Sequence, residues 1–114
     1  MVGDITDAVT MSCARWGFDA KGRYEGKFEN IKTRHPLLMI GNTWDAHTPL
    51  KSAHNASAIF DQSVVLEVNG YGHGSTSLVS ECAIRTTAQY FVNGTLPQVG
   101  KLCSIDVQPY LPLT

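Results

Sequence analysis

Two short apolar runs, Pro36-Leu37-Leu38-Met39-Ile40-Gly41 and Ser63-Val64-Val65-Leu66-Glu67-Val68, constrain this chain more than any other feature. Continuous apolar runs of this length suit strands buried on both faces, as in a parallel sheet, and the second run is rich in β-branched residues. Between them Thr48-Pro49 reads as a helix start, with threonine as N-cap and proline at the first helical position. Leu50, Ala53, Ala56 (or Ser57) and Phe60 then recur at helical spacing. Two such strands joined by a helix form a βαβ unit with parallel strands. Ser77 or Ser80 caps a last helix running to about Val92, with Ile84, Ala88 and Phe91 facing inward and Asn93-Gly94 as its stop. The fold class is therefore α/β, a small parallel sheet flanked by helices.

The 114 residues form one domain, with residues 35–96 as a βαβα core. Residues 1–34 precede it as a helix and a loop. The helix is expected over residues 1–16, where Asp4 is the cap and Ile5, Ala8, Val9, Ser12 and Trp16 fall near helical spacing. The glycine-punctuated stretch after it has Tyr24 and Phe28 as its anchors. Residues 97–114, carrying Pro97, Gly100, Pro109 and Pro112, form an irregular tail. Two strands leave apolar edges and faces open, so the sheet is expected to be completed by another chain or by self-association, a two-fold homodimer being the simplest form.

Composition removes several classes of partner. A hydrophobic share of 43% and a charged share of 17% are those of a globular domain. The net charge of −1 argues against nucleic-acid and anionic-membrane partners, and the basic pieces at residues 21–23 and 32–34 read as solvated surface. No apolar run approaches the ~20 residues of a membrane helix. Residues 1–10, with Asp4 and Asp7, lack the apolar centre of a signal peptide. Three cysteines leave one unpaired: Cys82 and Cys103 can close a loop around the last helix, and Cys13 is then a free thiol or the partner of a residue elsewhere. The sequons Asn55-Ala56-Ser57 and Asn93-Gly94-Thr95 point with the cysteines to secreted ancestry.

The chemistry is expected in the loops that follow the two strands, because active groups of parallel α/β sheets gather at the carboxyl ends of the strands. Asp45 lies in the first, Gly41-Asn42-Thr43-Trp44-Asp45-Ala46-His47, and His73 in the second, Asn69-Gly70-Tyr71-Gly72-His73-Gly74-Ser75. A carboxylate beside an imidazole fixes its tautomer and stabilises the imidazolium formed on proton transfer. Trp44, Tyr71 and His47 flank the pair. They either line a substrate pocket or pack on the sheet edge. Ser75, two residues from His73, is poorly placed as a nucleophile. Asp45, His47 and His73 do not have a metal-motif spacing, and neither a metal nor another cofactor is expected. His35 and His54 read as surface residues.

The order acid then histidine, each after its own strand, is that of the end of an α/β-hydrolase. The stretch from Pro36 through Asp45, with Thr48-Pro49-Leu50, resembles the C-terminal domain of tripeptidyl-aminopeptidase-like (TAP-like) hydrolases. So do Gly72-His73-Gly74, Cys82, Tyr90-Phe91-Val92-Asn93-Gly94-Thr95-Leu96-Pro97, Cys103 and the upstream Cys13-Ala14-Arg15-Trp16. The resemblance covers roughly residues 13–110. It implies the C-terminal portion of an α/β-hydrolase fold, Asp45 as triad acid, His73 as general base, a Cys82–Cys103 bridge, and descent from secreted serine peptidases or esterases. The sequence departs from the family where Ala46 and His47 replace the usual proline and valine after the acid. It also contains no G-x-S-x-G nucleophile elbow, so serine hydrolysis by this chain alone is not expected.

Three functions follow. The chain supplies the Asp–His half of a serine hydrolase site, acting on a small molecule or peptide with a serine from another polypeptide. Alternatively it is a nucleophile-free acid–base enzyme, an isomerase, cyclase or lyase of a biosynthetic pathway, using His73 and Asp45. The third possibility is a non-catalytic binding module. Met1 and the lack of a leader favour an independent gene product, cytoplasmic if complete. A fragment of the parent hydrolase would be secreted.

Overall fold

A computed structural model of the chain describes residues 8, 10–12, 14 and 16–107. The helix read over residues 1–16 lies largely outside the described residues, as do Cys13, Pro109 and Pro112. The ordered core runs β1 (Leu38–Trp44), α1 (Leu50–Ile59), β2 (Val64–Tyr71), a 3-10 turn (Ser75–Ser77), α2 (Glu81–Asn93) and β3 (Leu102–Ser104). The three strands form one parallel sheet in the order β1-β2-β3.

β2 is central, and its sequence explains why. Val65, Leu66 and Val68 are buried, Leu66 and Val68 completely. Side chains alternate between faces along a strand. Leu66 and Val68 pack with Leu78, Ala83 and Cys103 on one face, with Leu38, Ile40, Cys82 and Ile105 around them. On the other face Glu67 meets His54 of α1 at 3.1 Å, and Gly41 lies so close to α1 that a β-carbon there would meet Leu50 at 2.8 Å. α1 thus covers one face and α2 with the 3-10 turn the other. Complete burial of a side chain the size of Leu66 contributes about 1.5–3 kcal/mol.

Several boundaries differ from those read in the sequence. Both strands run three residues further than expected, to Trp44 and Tyr71, because parallel pairing continues past the apolar runs. The register slips between Asn42↔Val68 and Trp44↔Tyr71, giving β2 one extra residue at a bulge. A third strand, β3, occupies the tail that the sequence leads one to expect as irregular. β3 is held by pairing of Glu67↔Leu102, Val68↔Cys103 and Asn69↔Ser104 and by the Cys82–Cys103 disulfide, whose Cα atoms are 5.5 Å apart. The bridge is the one the family resemblance implies, whereas the pairing with β2 is not visible in local sequence.

The helices show the same pattern of partial agreement. α2 is capped by Ser80, whose Oγ accepts from the Ala83 amide, and stops at Gly94 in the left-handed conformation. Its inward face, however, is Cys82, Ala83, Thr86, Thr87 and Tyr90, while Ile84, Ala88 and Phe91 point to solvent. The disulfide, the Ser80 hydroxyl bonded to the Ser104 carbonyl (2.7 Å) and the Tyr90 hydroxyl bonded to the Pro36 carbonyl (3.0 Å) set this rotation. Thr48 is not the cap of α1. Pro49 holds that position, without a side-chain bond, and the Thr48 hydroxyl is used elsewhere. Tyr24 and Phe28 do not anchor to the core, since their exposed rings contact each other at 5.2 Å. The segment before β1 touches the core through Ile31, which bridges to Phe60.

Candidate functional site

Parallel pairing of β1 with β2 brings the ends of both strands side by side, and the two loops meet across Asp45 and His73. The Gly72 amide donates to the Trp44 carbonyl (3.3 Å) and carries the pairing just beyond the bulge. His73 sits between Gly72 and Gly74, whose φ angles are +130° and +82°. Such angles favour glycine, so this turn cannot readily be made by other residues.

Asp45 is buried and almost entirely surrounded by donors. Its Oδ1 accepts from the backbone amides of His47 (2.8 Å) and Thr48 (2.9 Å). Its Oδ2 accepts from the Thr48 hydroxyl (2.8 Å) and the Gly74 amide (3.3 Å). The His73 Nδ1 lies 3.1 Å from Oδ1 and 3.0 Å from Oδ2. The Thr48 amide, ahead of the opposing effect of burial, holds the carboxyl far below the usual range, helped by the His47 amide, the Thr48 hydroxyl and His73. Asp45 is therefore a carboxylate at any ordinary pH.

An ionised carboxylate on Nδ1 selects the tautomer with hydrogen on Nδ1 and the lone pair on Nε2. The acid side chain is 3% exposed and the histidine 57%. The arrangement thus combines a shielded fixed charge with an accessible proton acceptor, and a proton taken at Nε2 would be stabilised by Asp45.

The other sequence candidates are arranged around this pair. Trp44 and Tyr71 are cross-strand partners whose rings stack at 5.5 Å with an interplanar angle of 11°. Both are more than half exposed. The His47 ring tilts against the His73 ring at 5.1 Å. Among the described residues, a cavity of about 280 Å³ reaches Asp45, bounded by Met39, Ile40 and Gly41 of β1 together with Ser52, Gly74 and Ser75. A second cavity of about 320 Å³ shares Ile40 and Ser75 and extends to Leu78, Ala83 and Ile84. Trp44, Tyr71 and His47 line neither of them. Among the described residues, no three His, Cys, Asp or Glu side chains are grouped to hold a metal, and no helix is long and apolar enough to cross a membrane.

Two contributors escape the sequence reading. Thr48, expected as a helix cap, instead gives its hydroxyl to Asp45, and the one local signal for this turn is the aspartate itself, whose side chain accepts from the amide two residues on. Asn42, expected in the loop after β1, is a strand residue, 2% exposed, whose Nδ2 donates to the Gly72 carbonyl at 2.9 Å.

No curated protein and no solved structure matches the chain. The family model described as TAP-like protein matches residues 1–103. Nearly the whole sequence is covered, including β1, β2, the loops that follow them, both cysteines of the disulfide and the Asp45–His73 pair. The chain belongs to the TAP-like protein family, as a TAP-like C-terminal domain of the α/β-hydrolase class.

Proposed function

We propose that this domain supplies the acid and the general base of a serine hydrolase or peptidase site whose nucleophile comes from another polypeptide. The observation that carries this reading is the Asp45–His73 pair, formed by two loops far apart in sequence, with the buried carboxylate held by three backbone amides. In the proposed reaction His73 Nε2 takes the proton of an incoming serine hydroxyl as it attacks an ester or amide carbonyl, then returns it to the leaving group. Asp45 stays ionised and stabilises the imidazolium.

The sheet supports an incoming partner at one particular edge. Among the described residues β1 pairs with β2 on one side alone. Two cavities border β1, one lined also by α1 and one by α2, and both include Ile40 and Ser75. A strand added beside β1 would fill the open edge and bring its loop to Asp45 and His73. A homodimer through this edge is the competing arrangement. The substrate is a small molecule or peptide, and the exposed Trp44–Tyr71 stack with His47 is the surface we assign to its recognition.

A fluorophosphonate probe read by intact mass tests the division of labour. The isolated chain should remain unlabelled. Labelling of a serine that disappears in His73→Ala would place the nucleophile within this chain and overturn the split reading. A second reading is favoured by the completeness of the pair within one chain: His73 and Asp45 act as a nucleophile-free acid–base couple in an isomerisation, cyclisation or elimination. It gains if no serine partner yields activity with this domain.

A further inference from the structure

We infer that Asn42 is a positioning residue, which sets the His73 imidazole against Asp45 by holding the backbone on the far side of the histidine. Asn42 lies in β1 opposite Val68, on a strand whose preceding residues are Leu38, Met39 and Ile40. An amide in such surroundings is costly unless its polar atoms are used. Its Nδ2 is used, donating to the Gly72 carbonyl at 2.9 Å. Its Oδ1 is the buried side-chain polar atom left without a partner among the described residues. The side chain is therefore half-satisfied, an expensive choice if bracing the strand were its whole role, since an apolar residue of the same shape would avoid the orphaned oxygen.

The position of the bond explains the choice. Gly72 immediately precedes His73, and its amide is already bound to the Trp44 carbonyl. The Asn42 bond fixes the carbonyl end of the same residue. On the other side of the histidine, the Gly74 amide donates to Asp45 Oδ2 at 3.3 Å. Both peptides that flank His73 are thus attached at the end of β1, one through Asn42 within the strand and one through Asp45 just after it. The Ser77 hydroxyl holds the His73 carbonyl itself at 3.1 Å. With glycine on both sides the loop has little stiffness of its own, and the imidazole keeps its alignment through these attachments. Without the Asn42 bond, the Gly72–His73 peptide would be free to rotate.

This inference rests on the reading of His73 as the working base, but its test does not need hydrolysis. In the ¹⁵N-labelled full chain, the Nδ1 proton of His73, assigned by its loss in His73→Ala, is followed by NMR for exchange with water. In Asn42→Leu the melting temperature should hold or rise, while the Nδ1 proton exchanges faster, about tenfold for the loss of one hydrogen bond of ordinary strength. A folded Asn42→Leu with unchanged Nδ1 exchange would overturn the inference. Should that variant not fold, the unmodified chain decides: the Asn42 side-chain amide must be protected and coupled to the Gly72 carbonyl, and a freely exchanging Nδ2 overturns the inference. Failure of the domain to support a serine nucleophile would leave both readouts unaffected and count against the hydrolase reading alone.

Discussion

Opening the Cys82–Cys103 bridge should cost about 3 kcal/mol. The bonded cysteines are 21 residues apart. For a loop of 21 residues, chain-closure entropy gives about 11 cal/mol/K, hence about 3 kcal/mol at 25 °C. The loop encloses α2 and ends on β3, which pairs with β2 at three positions, so the bridge also decides whether β3 stays on the sheet. Cys82→Ala leaves the buried Cys103 in the core as a thiol and isolates the effect of the link. Urea unfolding of the parent, the reduced parent and Cys82→Ala should give matching losses for the last two, with a steeper denaturant slope because the unlinked chain exposes more surface. Hydrogen exchange should show the Glu67 amide, which donates to the Lys101 carbonyl at 3.0 Å, losing protection before the β1–β2 amides. A loss below about 1 kcal/mol with an unchanged slope would refute the reasoning, because loop closure alone predicts about 3 kcal/mol.

Other perturbations probe separate parts of the fold. Ser80→Ala should destabilise the chain by about 1–2 kcal/mol or more in chemical denaturation, since its hydroxyl both caps α2 and donates to the Ser104 carbonyl. Gly70→Ala places a β-carbon 2.5 Å from Leu78 and 2.9 Å from Ile105, and thermal melting should report an overpacking penalty of about 1–3 kcal/mol. Asp45 has a folded-state pKa lowered from its ordinary 3.8, so its stabilisation is fully present above that value and is lost as pH falls through the folded one. The stability difference between the parent and Asp45→Asn should therefore shrink below about pH 4, as measured by denaturation midpoints against pH.

The parts of the fold that were legible in the sequence share a local cause. β1, α1 and β2 follow from apolar runs and helical spacing, and the Ser80 and Gly94 ends of α2 follow from capping chemistry. Asp45 and His73 stood out because each follows a strand of the buried type, and parallel pairing does the rest. What was not legible depends on contacts between distant segments. Leu102-Cys103-Ser104 is too short and too mixed to read as a strand, and it becomes one through Cys82 and Glu67. The apolar residues Ile84, Ala88 and Phe91 suggested an inward stripe, but the bonds of Ser80, Cys82 and Tyr90 turn α2 the other way. Thr48 and Asn42 looked like a helix cap and a loop residue, because the carboxylate and the carbonyl they serve are recognisable only once the chain is folded.

The most direct test of the central claim is a domain exchange. A full-length TAP-like serine hydrolase, its own C-terminal domain replaced by this chain, is assayed on a chromogenic ester. Activity that depends on the host serine and disappears in His73→Ala and Asp45→Ala is expected. A folded hybrid that binds the substrate but shows no serine-dependent turnover, beside an active parent hydrolase, would contradict the assignment of Asp45 and His73 as a working acid–base half-site.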